Sequence, residues 1–333
     1  MAPALRLCHV RRMSAPANAP GSSSLRRLGS SLYSNGPLLL ALTTLMWAGN
    51  AVASRLAPGH LSPMLMTCVR WMVVLAIVLV LFRRSIASEW PVLKRSWPTV
   101  LFLGAIGYTI FNALFYAAGA YTSAINLTLF QSCLPALILV GSFLVFGVRA
   151  TWIQLLGLLL TMAGVAVAAS HGDLASLKQL RLNFGDILTM IACVLYAIYT
   201  IGLGKRPAVS GQTLFAGMAA AAFLTSVPLL GWEIASGRVV WPGDALGWGI
   251  LMFIAIFPSL ISQMFYMRAV ELIGADRAAV FLNLTPVFGA ILGVAILGER
   301  FGVYEAAALA LVLGGIFLSE KLGRPKQVAT KPA

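Results

Sequence analysis

Seven polar side chains stand inside runs of sequence that are otherwise apolar: Asn50, Arg70, Asn112, Asn126, Gln131, Gln263 and Asn283. Six are amides and one is a guanidinium. Such groups hold a polar ligand by hydrogen bonds, and the guanidinium also attracts an anion, but none of them makes or breaks a covalent bond. The partners that catalysis needs are missing from the same runs. No histidine lies in them (His9, His60 and His171 are elsewhere), and nine of the ten acids fall in connections or at the edges of the runs. Cys68, Cys133 and Cys193 lie in apolar stretches and Cys8 in a polar one, without the paired spacing of a metal site. The chemistry these residues suit is recognition.

Aromatic residues accompany the amides. Trp47, Tyr108, Phe111, Phe115, Tyr116, Tyr196, Tyr199 and Tyr266 lie deep enough to wall a cavity, whereas Trp90, Trp97, Trp241 and Trp248 fall where interfacial anchors are expected. Phe111/Phe115 and Asn112/Tyr116 are four residues apart, which puts each pair on one stripe of a helix. Pro135 and Pro286 fall mid-run, where a proline removes an amide donor and obstructs the carbonyl four residues back; a kink, or a cavity-lining or gating role, follows. Glu305 is the one acid that enters a run. It is the candidate for energy coupling if it faces protein, and an interface residue if it snorkels.

The elements that must position these groups follow from composition. Of 333 residues 59% are hydrophobic and only 10% charged, with a mean hydropathy of +0.89. Soluble domains are about a quarter charged, so the bilayer is the expected solvent. Ten apolar runs of roughly helix-spanning length cover 37–56, 63–82, 99–119, 124–146, 152–170, 185–203, 212–232, 246–268, 276–297 and 302–319. A barrel would need shorter segments of alternating polarity. The fold class expected is an all-α polytopic membrane protein. Connections near 83–98, 171–184 and 233–245 are the longest and hold no soluble domain.

The net charge of +14 sets orientation rather than nucleic-acid binding. With the N-terminus inside, 17 Lys and Arg fall in cytoplasmic segments and 4 outside (Lys178, Arg181, Arg238 and Arg300). Both termini are expected in the cytoplasm, in an inner (plasma) membrane. Residues 1–35 read as a disordered basic tail and 321–333 as a second one. Expected partners are a small-molecule substrate and membrane lipid, without nucleic acid or an ATPase subunit, in a monomer or homodimer. No cofactor or metal is expected.

The chain repeats itself at an offset of 151 residues. Trp97 matches Trp248, Phe102 matches Phe253, Ala124 matches Ala275, Phe130 matches Phe281, Pro135 matches Pro286, Gly147 matches Gly298, Arg149 matches Arg300 and Gly164 matches Gly315. Five runs per half is an odd number, so the second half (185–320) should sit upside down relative to the first (36–170). Inverted repeats are an architecture of secondary transporters, with the substrate near the midplane between the halves.

The same residues carry a family resemblance. Glu271-Leu272-Ile273-Gly274-Ala275, then Pro286, then Leu297-Gly298-Glu299-Arg300 resemble the second half of EamA-type transporters of the drug/metabolite transporter superfamily. Tyr121-Thr122-Ser123-Ala124, Pro135 and Phe146-Gly147-Val148-Arg149 resemble the first half, as do Trp47-Ala48-Gly49-Asn50 and Arg70-Trp71. The resemblance spans about 36–320 and implies a ten-helix carrier, often an exporter of amino acids or related compounds. Val148 departs from it, standing where the family often has Glu. The expected substrate site comprises Trp47, Asn50, Arg70, Asn112, Tyr116, Gln131, Tyr196, Gln263 and Asn283. Arg70 is the candidate for a substrate carboxylate, with snorkelling to the outer interface as the alternative. A membrane-embedded enzyme acting on lipid-linked substrates is the rival reading.

Overall fold

Proline and small polar residues begin most of the helices. Pro37, Pro63, Pro98 and Pro135 occupy first turns, where the missing amide hydrogen costs nothing. Asn35, Ser123, Asn183, Ser210 and Asp244 accept a hydrogen bond from a first-turn amide, satisfying one of the orphan donors there. A computed structural model describes residues 33–147, 151–169, 183–274, 278 and 281–318. The two tails, Arg149, Asp173, Asp276 and Arg277 lie outside the described residues.

The described chain is helical and contains no strand. In order, the helices are α1 (Gly36–Leu56), α2 (Pro63–Leu81), α3 (Arg83–Arg95), α4 (Trp97–Gly104), α5 (Phe111–Ala118), α6 (Ala124–Gln131), α7 (Leu134–Phe146) and α8 (Trp152–Ala169). There follow α9 (Phe184–Gly202), α10 (Gly211–Ala235), α11 (Ala245–Ala255), α12 (Ser262–Ile273), α13 (Leu284–Leu297) and α14 (Val303–Phe317). Joined across local irregularities, they give seven segments long and apolar enough to cross a membrane, and three shorter apolar helices at α8, α13 and α14. One expected connection is itself a helix: α3 fills most of 83–98, with Leu93 buried and Arg83, Arg84, Lys94 and Arg95 exposed.

Helix geometry follows the 151-residue offset. A π-helical segment joins α4 to α5 (Ala105–Ile110), and another joins α11 to α12 (Ile256–Ile261), 151 residues later. Pro258 in the second segment cannot donate to an α-helical ladder. Gly107 stands at the matching place in the first, where a Cβ would come within 2.4 Å of the Tyr199 ring. The helices α7 and α13 both end on a left-handed glycine, Gly147 at φ 67° and Gly298 at φ 65°. Only a residue without a Cβ takes that conformation at little cost.

Contacts between the halves follow the same offset. The first helix of the first half, α1, packs on α12 and α13, and its counterpart α9 packs on α5 and α7. The pairs α2/α10 and α8/α14 complete the set. In the last pair small residues allow close approach: a Cβ on Gly164 would meet the Ala308 carbonyl at 2.8 Å, and one on Gly315 the Gly157 carbonyl at 2.5 Å. Neither half buries its helices alone.

The two prolines expected to kink helices instead begin them. The turn at Ser132-Cys133 closes α6, and Pro135 sits, exposed, in the first turn of α7. Pro286 is buried in the first turn of α13. The spans there are discontinuous, and each proline falls where an amide would have lacked a helical partner.

Candidate functional site

Arg70 lies two turns into α2 and is only 6% exposed, so it has not snorkelled to an interface. Its Nη1 donates to Asn112 Oδ1 at 2.8 Å, to Asn50 Oδ1 at 3.4 Å and to the Tyr116 hydroxyl in a short bond. Tyr116 in turn donates to Asn50 Oδ1 at 3.0 Å. Asn50, Asn112 and Tyr116 are all buried. Three helices of the first half, α1, α2 and α5, thus converge on one cation.

The π segment aims two of these groups. Its extra residue per turn shifts the register of α5, and Asn112 and Tyr116 then face α2 together, one turn apart. Asn112 Nδ2 is fixed by a short bond to the Tyr108 carbonyl inside that segment. The cation rests on aromatic faces: Cζ of Arg70 is 5.2 Å from the Trp71 ring centre and 5.8 Å from that of Tyr116.

Aromatic contacts carry the cluster to the second half. Trp71 stacks on Tyr108 at 4.5 Å, Tyr108 meets Tyr199 at 5.7 Å, Tyr199 meets Tyr196 at 5.1 Å, and Tyr196 meets Phe111 at 4.9 Å. Tyr196 and Tyr199 belong to α9. Trp47 occupies a neighbouring place on α1, donating from Nε1 to Ser262 Oγ at 3.0 Å, with its ring 5.9 Å from Tyr266.

Four of the expected site residues therefore form one cluster: Asn50, Arg70, Asn112 and Tyr116. Tyr196 joins it through rings, and Trp47 lies one turn from Asn50 on the same helix. Gln131 and Asn283 sit apart, at the matching breaks before α7 and α13, both half-buried. Gln263 is half-buried in the first turn of α12, at the repeat position of Asn112. A cavity of about 430 Å³ opens elsewhere, lined by apolar residues of α1, α11 and α13 such as Leu45, Gly49 and Phe253.

The acids serve helix ends. Glu305 is buried and accepts from the Gly302 amide at 2.8 Å, capping α14. Gln154, its counterpart in the repeat, accepts from the Thr151 amide at 2.8 Å at the start of α8. Three acids act over long distance. The sequence offers Glu299 only as a clasp of the hairpin between the last two spans and gives no reading of Glu233 or Asp186 beyond a place at a span end. Glu299 accepts from the Ala124 and Ile125 amides at 2.7 and 3.1 Å, so an acid of the second half caps α6 of the first. Glu233 accepts from Ser62 Oγ at 2.6 Å and from the Leu65 amide at 3.1 Å, capping α2. Asp186 is buried and accepts from Thr122 Oγ1 at 2.6 Å. The only signal for Glu299 was its place in the repeated motif; Glu233 and Asp186 carried none. At the exposed ends, Asp244 is held below the usual carboxylate range by the Gly247 amide and then by His60, 2.7 Å away. Glu89 is held low by the Thr213 and Ser210 hydroxyls.

Known proteins agree with this architecture. The EamA-like transporter family model matches residues 34–170 and again 183–320. The uncharacterized transporter YyaM of Bacillus subtilis (strain 168) is 26% identical over 82% of this chain and 89% of its own length. An uncharacterized transporter of Archaeoglobus fulgidus is 26% identical over 85% of this chain and 96% of its own. One solved crystal structure superposes with a TM-score of 0.61 at 20% identity, covering 87% of this chain and 98% of that one, a likeness of fold alone. With two family matches that coincide with the two halves of the offset, the chain belongs to the EamA-like transporter family and is a multi-pass membrane protein.

Proposed function

We propose that the protein is a secondary transporter, working as an exporter in the inner (plasma) membrane, for a small polar metabolite bound around Arg70. Its ten spans form two inverted five-helix halves with both termini in the cytoplasm, and it works by alternating access as one bundle rocks against the other. The recurring π segments, left-handed glycines and helix contacts at the 151-residue offset support the two halves. The excess of cytoplasmic Lys and Arg supports the orientation.

The observation that carries this reading is the guanidinium buried mid-span among neutral oxygens. An ionisable group at membrane depth is costly and characteristically belongs to a pathway. A structural bundle would gain nothing from it. Tyr196 brings a residue of the other half to the same region through its ring, 4.9 Å from that of Phe111.

Metabolite profiling of cells with the gene deleted or overexpressed tests the function. One compound accumulating inside deleted cells and falling on overexpression is expected; an unchanged profile would refute it. Efflux from proteoliposomes with and without a pH gradient then addresses coupling. Since Glu305 is engaged in a helix cap that glutamine also makes at position 154, Glu305→Gln is expected to leave any pH-driven component intact. Loss of that component would assign coupling to Glu305.

A further inference from the structure

We propose that the Arg70 cluster selects net anions, small organic carboxylates without an ammonium group, and that the carboxylate docks on the Nε side of the guanidinium. This rests on the cluster being the substrate site of the transporter proposed above.

The hydrogen bonds around Arg70 are unevenly shared. Nη1 has two hydrogens, yet three oxygens converge on it, from Asn50, Asn112 and Tyr116. Nε, equally buried, donates to nothing. A buried donor without a partner costs about 1–3 kcal/mol, and more when it is charged. The Nε edge of a guanidinium is one of those that a carboxylate grips with two parallel bonds. The neighbouring indole hydrogen of Trp71 is also buried without an acceptor. At this place the protein has donors in excess, one positive charge and no negative charge. An anion supplies what is missing.

A zwitterion would bring an ammonium group with no carboxylate to meet it. Every described acid is engaged elsewhere: Glu89 with Ser210, Asp186 with Thr122, Glu233 with Ser62 and the start of α2, and Asp244 with Gly247 and His60. Glu271 pairs with Arg268, Glu299 caps α6 and Glu305 caps α14. The nearest aromatic faces, Trp71 and Tyr116, already lie against the guanidinium. A bound ammonium group would share them with a like charge.

The test uses the full-length protein in detergent and two matched sets of probes: isocaproate, leucine and isoamylamine, and hydrocinnamate, phenylalanine and phenethylamine. A ligand that binds only the folded state raises the unfolding midpoint saturably. At neutral pH at least one of the two acids is expected to raise it by several degrees, with its amino acid and amine giving less than a third of that shift. Arg70→Gln should abolish the shift, and Arg70→Lys, which keeps the charge but not the two-pronged edge, should retain part of it. The ranking within the wild-type protein stands even if Arg70→Gln does not fold. Equal or greater stabilisation by an amino acid or amine, an acid shift that survives Arg70→Gln, or no shift with either acid would each overturn the proposal. Efflux from proteoliposomes separates the two readings. Acids that bind but do not cross would refute transport and leave the site. Leucine or phenylalanine crossing while the acids do not would refute anion selection and leave transport.

Discussion

The two halves of this chain share a backbone and differ in chemistry. At the 151-residue offset the π segments, the left-handed glycines, the capping residues Gln154 and Glu305, and the discontinuous helices α6–α7 and α13 all recur. The charged cluster does not. The offset pairs Arg70 with Ala221, Tyr116 with Met267 and Asn112 with Gln263. Ala221 is fully buried, and a Cβ on Gly104 would come within 2.6 Å of its methyl group, so that place holds a helix contact and no ligand. Repetition fixes where helices bend and stop, because those are backbone requirements. The recognition proposed for the cluster draws on a single asymmetric set of groups, most of it from one half.

The sharpest way to break this comparison is to remove one polar group from each half. Arg70→Ala is expected to lower transport about 100-fold or more, since a hydrogen bond to a charged group is worth about 1.5–3 kcal/mol and the proposed carboxylate would lose two. Gln263→Ala should lower it less than about 10-fold, one neutral hydrogen bond being worth about 0.5–1.5 kcal/mol. Equal losses in efflux assays would mean that both halves bind substrate alike.

A smaller effect belongs to the link between halves. Glu299→Ala leaves the Ala124 and Ile125 amides without their carboxylate and should destabilise by about 1–3 kcal/mol in thermal or chemical unfolding. Glu299→Gln, which keeps an acceptor, should cost less than half of that. An unchanged midpoint for Glu299→Ala would show that the cap does not hold α6.

Smaller again, and equal in the two halves, are the glycine turns. Gly147→Ala and Gly298→Ala should each cost about 1–2 kcal/mol, the strain of a left-handed alanine, with open space around both Cβ positions. Unequal costs would show that the halves differ in backbone as well as in chemistry.

The smallest effect is acid-dependent. Asp244 and Glu89 both have lowered pKa values in the folded state, so what they contribute is complete above the ordinary carboxylate pKa of about 4 and is lost as pH falls through the folded value. Unfolding midpoints should be indifferent to Glu89 between about pH 5 and 8, whereas Asp244 also feels the charge of the His60 ring 2.7 Å away. Glu89→Gln should flatten only the acid limb. A change near neutrality with Glu89→Gln would contradict its hydrogen-bonded setting against Ser210 and Thr213.

Much of this protein was legible in sequence because each feature is local. Apolar runs of bilayer length give the spans, and the 151-residue offset gives the two halves. Asn50, Arg70, Asn112 and Tyr116 stood out since a polar group amid twenty apolar residues must find protein. Their meeting point did not show, nor did the separation of Gln131 and Asn283 from it, because helix rotation depends on the π segment's single extra residue and on which neighbour each face packs against. The acids were the least legible. Glu233 and Glu299 cap helices that begin 170 or more residues away in sequence, and no pattern of spacing encodes a partner chosen by the packing of one half against the other. Sequence determined that this chain crosses a membrane as a repeated helical protein; only the tertiary structure decided that the one buried cation among the described residues would be left without an acid, because every described carboxylate had been drawn to a helix end or a surface pair.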